Sequence, residues 1–145
     1  MASFGKKSMS RLKTCDENIQ TVMLAAIKYM DFSIIYGQRT PDEQFTLFKK
    51  GRTQNQQGEW VIYDLNLVVT YKDGTEKKSK HNYVPLSFAV DIAPYPTLWE
   101  KKELFYELGG IIKTVQEQLF YEGKITTKLK WGFDLWEWDE GHWEI

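Results

Sequence analysis

The longest regular pattern in the chain is an amphipathic stretch over residues 98–121. Its apolar side chains recur at helical spacing and form one stripe, made of Leu104, Leu108, Ile111, Ile112, Val115 and Leu119. A helix with such a stripe has to bury it against another apolar layer. Gly109-Gly110 lies inside the stretch and is expected to bend the helix. The rest of the chain therefore has to supply a second layer.

Two shorter helices are predicted before this one. Thr14 and Glu17 form a capping-box pattern, after which apolar residues recur at helical spacing as far as Met30. Residues 40–43, Thr-Pro-Asp-Glu, combine a second capping box with proline in the first turn. The helix that they open is expected to stop near Gly51.

Strands are predicted from runs of β-branched and aromatic residues at 32–36, 60–71 and 88–93. Asp73-Gly74 provides a hairpin turn after the second run, and Pro94 stops the third. Residues 124–145 are rich in tryptophan and predict two closing strands joined by an acidic loop. The sequence therefore predicts one α+β domain over residues 1–145, with a small antiparallel sheet packed with helices.

Composition excludes several classes of protein. The single cysteine, Cys15, allows no intrachain disulfide, has no histidine near it in sequence, and is expected to be inert. With 19 basic and 20 acidic residues, the net charge of -1 argues against a nucleic-acid partner. Residues 1–14 are basic without a following apolar stretch, so neither a signal peptide nor membrane insertion is expected. We expect a protein made in the cytosol.

The chain has only two histidines, His81 and His142, and each lies in an informative segment. His81 precedes the predicted strand that contains Asp91. On a strand with a period of two, Asp91 lies between two alanines on the face opposite the large apolar residues Phe88, Val90 and Ile92. Asp91 is therefore expected to point into open space or a cleft.

The last residues of the chain repeat this pattern. Trp143 and Ile145 share one face of the predicted final strand, and His142 and Glu144 share the other, so we expect His142 to be exposed. Two imidazoles and a carboxylate are a common catalytic zinc shell, which leaves a fourth position for water. Asp139 is a suitable general base, with Glu140 and Glu144 as competing carboxylates.

Spacing alone does not establish such a site, because isolated histidines and aspartates are common on surfaces. A wider set of motifs resembles the zinc family of D-alanyl-D-alanine carboxypeptidases and L-alanyl-D-glutamate endopeptidases, of which phage endolysins form one branch. The motifs are Gly37-Gln38-Arg39-Thr40, Gly51-Arg52-Thr53, Ser79-Lys80-His81, residues 89–96, Trp131-Gly132 and Asp139-x-x-His142-Trp143-Glu144. They span nearly the whole chain.

The resemblance implies a role for each matching residue. Zinc would be held by His81, Asp91 and His142, with Asp139 as general base. Arg39 would contact the substrate or stabilise the oxyanion, although an arginine between a strand and a helix is by itself most often a surface or salt-bridged residue. The implied fold is the hedgehog/DD-peptidase-like single domain.

The sequence departs from the family pattern before Asp91. The segment between His81 and Asp91 is three residues longer than usual, and Ser87 stands where glycine is expected. Both ligands can still converge if residues 84–86 bulge outward, because a few added residues cost little loop entropy. Aspartate at position 139, where the carboxypeptidases have glutamate, resembles the endolysin branch and favours an endopeptidase.

The resemblance implies a peptidoglycan endopeptidase that cuts the L-alanyl-D-glutamate bond of murein stem peptides during host lysis. The alternatives are a D-Ala-D-Ala carboxypeptidase, a non-catalytic zinc-stabilised binding module, and an α+β domain without zinc. A monomer without a separate cell-wall-binding domain is expected, held in the host cytoplasm until another protein releases it to the cell wall. Four tryptophans are expected in the core, and Trp136 or Trp138 is expected to line the cleft; the core set is Trp60, Trp99, Trp131 and Trp143.

Overall fold

The computed structural model describes residues 1–145 and contains five α-helices and six short strands. The helices are α1 (Lys6–Leu12), α2 (Glu17–Ala26), α3 (Pro41–Phe48), α4 (Lys102–Tyr121) and α5 (Gly132–Trp136). The strands are β1 (Phe32–Tyr36), β2 (Arg52–Gln54), β3 (Trp60–Ile62), β4 (Ala89–Pro94), β5 (Lys130–Trp131) and β6 (His142–Glu144). Two 3₁₀ turns lie at Leu65–Leu67 and Lys80–Asn82.

Four strands form an antiparallel sheet in the order β1-β4-β6-β5. In this sheet Ser33 pairs with Ala93, and Asp91 pairs with His142. Strands β2 and β3 form a separate two-stranded ribbon. The predicted α+β architecture with a small antiparallel sheet is therefore confirmed, and β4 carries Asp91 in the middle of the sheet.

A single hydrophobic core joins the sheet to helices α2 and α4. Its buried members from these elements are Ile19, Val22, Met23, Ala26, Phe32, Ile34, Val90, Ile92, Leu108, Ile112, Trp131 and Trp143. The residues of α2 and α4 in this set lie on one stripe of each helix, as the periodicity predicted. Because Val90 and Ile92 point into this core, Asp91 between them points to the opposite face.

Helix α4 continues without interruption across Gly109-Gly110. Gly109 makes room for a neighbouring ring, since an added Cβ would lie 2.6 Å from a carbon of Trp131. None of the helices combines the length and apolar character that a membrane span requires.

The beginning of α2 differs from the prediction. Asp16 is its N-cap and accepts a hydrogen bond from the Asn18 backbone N–H (2.8 Å). Thr14, predicted for that role, accepts instead from the Gln38 backbone N–H (2.8 Å), and α1 precedes it without having been predicted. The capping box of α3, between Thr40 and Glu43, is present with both of its hydrogen bonds.

The prediction of a strand over residues 60–71 was wrong beyond Ile62. The strand is short and pairs with β2, which was not among the predicted strands, and a 3₁₀ turn capped by Asp64 follows it. The β-forming side chains beyond it lie largely exposed and have no facing layer, so they do not extend the strand. The two predicted closing strands are present as β5 and β6, but α5 lies in the connection between them.

Candidate metal centre

The register of the central sheet brings Asp91 and His142 together. They are direct partners across the antiparallel β4–β6 pair, so their side chains emerge side by side on one face. His142 Nδ1 lies 3.0 Å from Asp91 Oδ1. The other ring nitrogen, Nε2, lies 3.0 Å from Glu144 Oε1, and Glu144 is paired in turn with Lys80 Nζ at 2.7 Å.

His142 is on the predicted face of β6 but is buried, so the prediction that it is exposed was wrong. The ring of Trp136, on α5, lies 5.4 Å from the His142 ring between centroids. The unpredicted helix therefore places an aromatic ring beside the histidine. The imidazole is held between Asp91 and Glu144 by contacts to both nitrogens, which fixes its orientation.

His81 reaches the same place from the Lys80–Asn82 turn, which Ser79 caps. Its Nδ1 donates to the carbonyl of Gly37 (2.7 Å), and its own carbonyl accepts from the Arg39 N–H (2.8 Å). Because a carbonyl only accepts, Nδ1 carries the proton, and the Nε2 of a neutral ring presents a lone pair. That buried Nε2 has no hydrogen-bond partner and lies 3.3 Å from Asp91 Oδ2.

The lengthened segment between His81 and Asp91 bulges outward, as expected. Val84 within it is 79% exposed, whereas Ser87 is fully buried and its hydroxyl donates to the Ala89 carbonyl at 2.6 Å. The added residues therefore lie in solvent and leave the two side chains free to converge.

The donor atoms of His81, Asp91 and His142 all lie within 4.8 Å of one another. In a tetrahedral zinc shell with ligand distances of about 2.0–2.2 Å, neighbouring ligand atoms are about 3.4 Å apart. The His81–Asp91 distance of 3.3 Å and the His142–Asp91 distance of 3.0 Å are close to that value. An unpartnered buried imidazole nitrogen aimed at a carboxylate therefore fits a metal ion.

Electrostatics in the cluster favour an ionised Asp91. Burial raises the pKa of this carboxyl, but the positive charge of His81 in its protonated form and the hydrogen bond from His142 outweigh burial and hold the pKa well below its usual range. For His142 burial lowers the pKa, yet hydrogen bonds to Asp91 and Glu144 raise it to about 9. Burial likewise raises the pKa of Glu144, but its hydrogen bonds to His142 and Lys80 lower it to about 2.

Asp139 lies immediately before β6, in a left-handed conformation with φ of 63°. Burial raises the pKa of its carboxyl, and the negative charge of Asp91 raises it further. Of the three acidic residues proposed as base, Glu140 is paired with Lys102 at 2.9 Å and Glu144 with Lys80, whereas Asp139 is in no ion pair. Its carboxylate is therefore the one of the three available to a reacting group.

Gly132 supports the position of Asp139. An added Cβ at Gly132 would lie 2.6 Å from the Asp139 carbonyl oxygen and 3.0 Å from the His142 Cβ. Only glycine fits this close approach of the α5 backbone to the residues before β6. This gives the Trp131-Gly132 motif a structural role beside the cluster.

Arg39 forms an ion pair with Asp91, with Nη2 2.6 Å from Oδ2. Its Nη1 donates to Gln44 Oε1 (3.3 Å), its guanidinium lies 4.3 Å from the Tyr36 ring centroid, and its buried Nε has no partner. The arginine is therefore salt-bridged to a member of the cluster, and its guanidinium lines the adjoining cleft; its contact with substrate or oxyanion stays a prediction.

Two clefts open at this cluster and share three lining residues, Asp91, Trp138 and Asp139. The larger, of about 620 Å³, contains both histidines and has four basic side chains in its wall, so we call it the basic cleft; they are Arg39, Lys72, Lys78 and Lys80. The smaller, of about 440 Å³, is the aromatic cleft, lined among others by Tyr36, Trp99, Phe105 and Trp138.

Two of the four tryptophans that were expected in the core are there. Trp131 and Trp143 stack on each other in the core with ring centroids 5.5 Å apart, and Trp136 and Trp138 line the basic cleft. The prediction was wrong for Trp60, which lies on β3 outside the core against the Phe45 ring (5.7 Å), and for Trp99, which follows β4 on the surface and is 56% exposed.

Cys15 is fully buried, and burial raises the pKa of its thiol to about 12, in agreement with an inert residue. Sequence reasoning did not predict the contacts of Lys80 and Gln44 at the site. Alternation along β6 did place Glu144 beside His142, but as a competing base and not as its partner.

No protein-family model and no curated protein sequence matches the chain. The fold is similar to a solved structure, the L-Ala D-Glu endopeptidase ChiX of Serratia marcescens, with a TM-score of 0.65 and 16% sequence identity. The similarity covers 99% of this chain and 90% of that one. The expected DD-peptidase-like α+β fold is thereby confirmed.

Proposed function

We propose that the protein is a zinc-dependent peptidoglycan endopeptidase that hydrolyses the L-alanyl-D-glutamate bond of murein stem peptides. The observation that carries this proposal is the convergence of His81, Asp91 and His142 at the floor of a cleft, beside a carboxylate without an ion-pair partner. The fold shared with an L-Ala D-Glu endopeptidase and the family motifs support the same substrate class.

We propose His81 Nε2, an Asp91 oxygen and His142 Nδ1 as the three zinc ligands. Zinc held by three protein ligands supplies Lewis acidity, which activates water and polarises a carbonyl at neutral pH. The remaining nitrogens of the two histidines are held by the Gly37 carbonyl and by Glu144, an arrangement that orients imidazole ligands.

Asp139 is the proposed general base. Its raised pKa suits a group that takes a proton from the attacking water and returns it to the departing amine, because a base acts best when its pKa approaches the working pH. Its backbone is held close to Gly132, so the carboxylate has a defined position at the junction of the two clefts.

Arg39 is proposed to grip the substrate or the developing oxyanion. A guanidinium can hold two oxygens with parallel hydrogen bonds, and that of Arg39 lines the basic cleft beside its pair with Asp91. Lys72 and Lys78, which are in no ion pair, extend the positive wall of the basic cleft towards the carboxylates of a stem peptide.

The biological role proposed is that of a phage endolysin in host lysis, and it rests on the motif resemblance. In this role the protein acts as a monomer with one catalytic domain and stays in the host cytoplasm until another protein opens the inner membrane. Loss of turbidity of permeabilised Gram-negative cells on addition of the protein, blocked by a chelator, is the expected result.

Mass spectrometry of purified muropeptides after digestion tests the bond. A released peptide that begins with D-glutamate is expected, and zinc analysis should give one ion per chain. Loss of only a terminal D-alanine would assign a D-Ala-D-Ala carboxypeptidase instead, and new reducing sugar ends would exclude a peptidase. Bound zinc without any cleavage would indicate a non-catalytic zinc-stabilised module.

A further inference from the structure

The aromatic cleft is not needed to hold the proposed metal or to position the base, yet it opens onto Asp91 and Asp139. Trp99 and Trp138 at this cleft are 56% and 54% exposed, which is unusual for rings of this size. Trp99 stacks on Phe105, with centroids 5.8 Å apart and planes 27° apart, so its ring is held in place. Such preset, exposed aromatic faces are typical of binding surfaces.

The two clefts differ in charge. The basic cleft has two lysines without ion-pair partners, Lys72 and Lys78. In the aromatic cleft the one basic side chain, Lys102, is neutralised by Glu140 at 2.9 Å. Both clefts have aromatic rings in their walls, but only the basic cleft has lysines without ion-pair partners, so a substrate that crosses the shared junction meets uncompensated lysine charge on one side only.

A murein stem peptide has a matching asymmetry about the L-alanyl-D-glutamate bond. On the amine side, D-glutamate and the residues after it carry free carboxylates. On the carbonyl side, L-alanine is joined through an amide to the lactyl group of a muramic acid sugar, which is uncharged there and presents apolar C–H faces. Charge complementarity places the acidic peptide in the basic cleft and leaves the sugar for the aromatic cleft.

We infer that the aromatic cleft binds the muramyl sugar on the carbonyl side of the scissile bond, with Trp99 as a stacking platform. This inference rests on the proposed function and adds to it the orientation of the substrate across the two clefts. The protein then prefers stem peptides that are still attached to glycan over free peptides, because only the former fill both clefts.

The test compares two substrates that differ only in the sugar: a disaccharide tetrapeptide and the same tetrapeptide with an acetylated L-alanine. The ratio of their kcat/KM values for the zinc-loaded protein should favour the sugar-bearing substrate. Trp99→Ala should lower that ratio roughly tenfold, since one aromatic contact is worth about 1 kcal/mol or slightly more. Trp99→Phe should retain part of the preference because it keeps a ring on Phe105.

Two control variants separate the clefts. Tyr121→Ala removes an aromatic ring that is 93% exposed and lies outside both clefts, so it should leave the ratio unchanged. Lys78→Glu in the basic cleft should lower kcat/KM for both substrates by a similar factor, because both carry the acidic peptide. Equal cleavage of both substrates by the unaltered protein, or an equal loss on both in Trp99→Ala, would overturn the inference.

A binding experiment keeps this inference separate from the proposed function. N-acetylmuramyl-L-alanine, which lacks the scissile bond, is titrated into the zinc-loaded protein by calorimetry, with Trp99→Ala alongside. Binding that weakens roughly tenfold in the variant supports the sugar site, even if neither substrate is cleaved. In that case only the proposed endopeptidase activity would be wrong. Binding that is absent or equal in the two proteins would show that the sugar does not bind in this cleft.

Discussion

The central sheet and the segment of residues 52–79, here the outer segment, are both rich in β-branched and aromatic residues but bury them very differently. Ile92 on β4 is 1% exposed, whereas Ile62 on β3 is 43% exposed. The sheet has α2 and α4 against one face, and the outer segment has no such layer. β-forming composition therefore produces extended, buried structure only where another element covers it.

The outer segment packs the Trp60 ring edge-on against Phe45 of α3 (5.7 Å) and is otherwise held largely by polar contacts. Arg52 Nη1 donates to the carbonyls of Phe48 (2.6 Å) and Thr70 (2.9 Å). The buried side chain of Gln44 donates to Thr70 Oγ1 (3.2 Å) and to the Lys72 carbonyl (3.0 Å). Directional contacts of this kind position the lysines of the basic cleft, while the packed sheet positions Asp91 and His142.

The largest effect, a loss of catalytic rate, is expected from a substitution at the junction of the sheet with the clefts. Asp139→Asn should lower kcat by about 10²–10⁴-fold while zinc content stays at one per chain, because a general base supplies that factor and is not a ligand. Glu76→Gln removes a carboxylate from the outer segment and should leave kcat unchanged. Single-turnover kinetics with zinc analysis measures both, and a normal rate in Asp139→Asn would assign the base elsewhere.

A matched pair of isoleucines tests the difference in packing directly. Ile92→Ala should reduce the free energy of unfolding by about 2–5 kcal/mol, because it removes core methyl groups and leaves a cavity. Ile62→Ala, on the exposed ribbon, should cost about 1 kcal/mol or less. Urea denaturation followed by fluorescence gives both values, and equal losses would show that the outer segment shares the core's stability.

Side-chain periodicity predicted the parts of the fold that the core covers. The stripe on α4, strand β1 and the capping box of α3 were correct because each depends on local spacing and on one buried face. The strand over residues 60–71 was wrong because the same residue types there have no covering layer. Helix α1 was missed because Leu12 is its only buried residue, which leaves no apolar stripe to detect.

The three residues that converge at the candidate site were predicted, but the residues that support them were not. Alternation along β4 and β6 placed Asp91 and His142 on the face away from the core, and the cross-strand register brings them together. The support of His81 by the Gly37 carbonyl depends on a contact 44 residues away in sequence, which no local pattern contains. The burial of His142 depends on α5, whose five residues carry no detectable periodicity.

Substitution of Glu144 tests how much a residue that only orients a zinc ligand contributes to zinc affinity, compared with a ligand itself. Glu144→Gln keeps the size of the side chain but removes the charge that faces His142 Nε2 and Lys80. Loss of such a partner typically weakens metal binding 10–100-fold without removing a ligand. Competition with a chromogenic chelator measures the dissociation constant; His142→Ala, which removes a ligand, is the reference for complete loss. Unchanged zinc affinity in Glu144→Gln would mean that Glu144 does not tune the histidine.

A modest effect on global stability, with a larger local one, is expected where the outer segment is attached. Gln44→Leu keeps a buried side chain of similar volume but removes the hydrogen bonds to Thr70, Lys72 and Arg39. The Lys72 carbonyl belongs to an exposed residue that water can reach, so the free energy of unfolding should fall by only about 1–2 kcal/mol. The local effect should be larger, because few other contacts restrain residues 70–72. We expect amide exchange over residues 65–78 to accelerate strongly, while exchange in β4 and α4 accelerates only by the amount that the global loss of stability accounts for. Uniform acceleration across both regions would show that the outer segment unfolds together with the sheet, and the contrast between polar attachment and core packing would then be wrong.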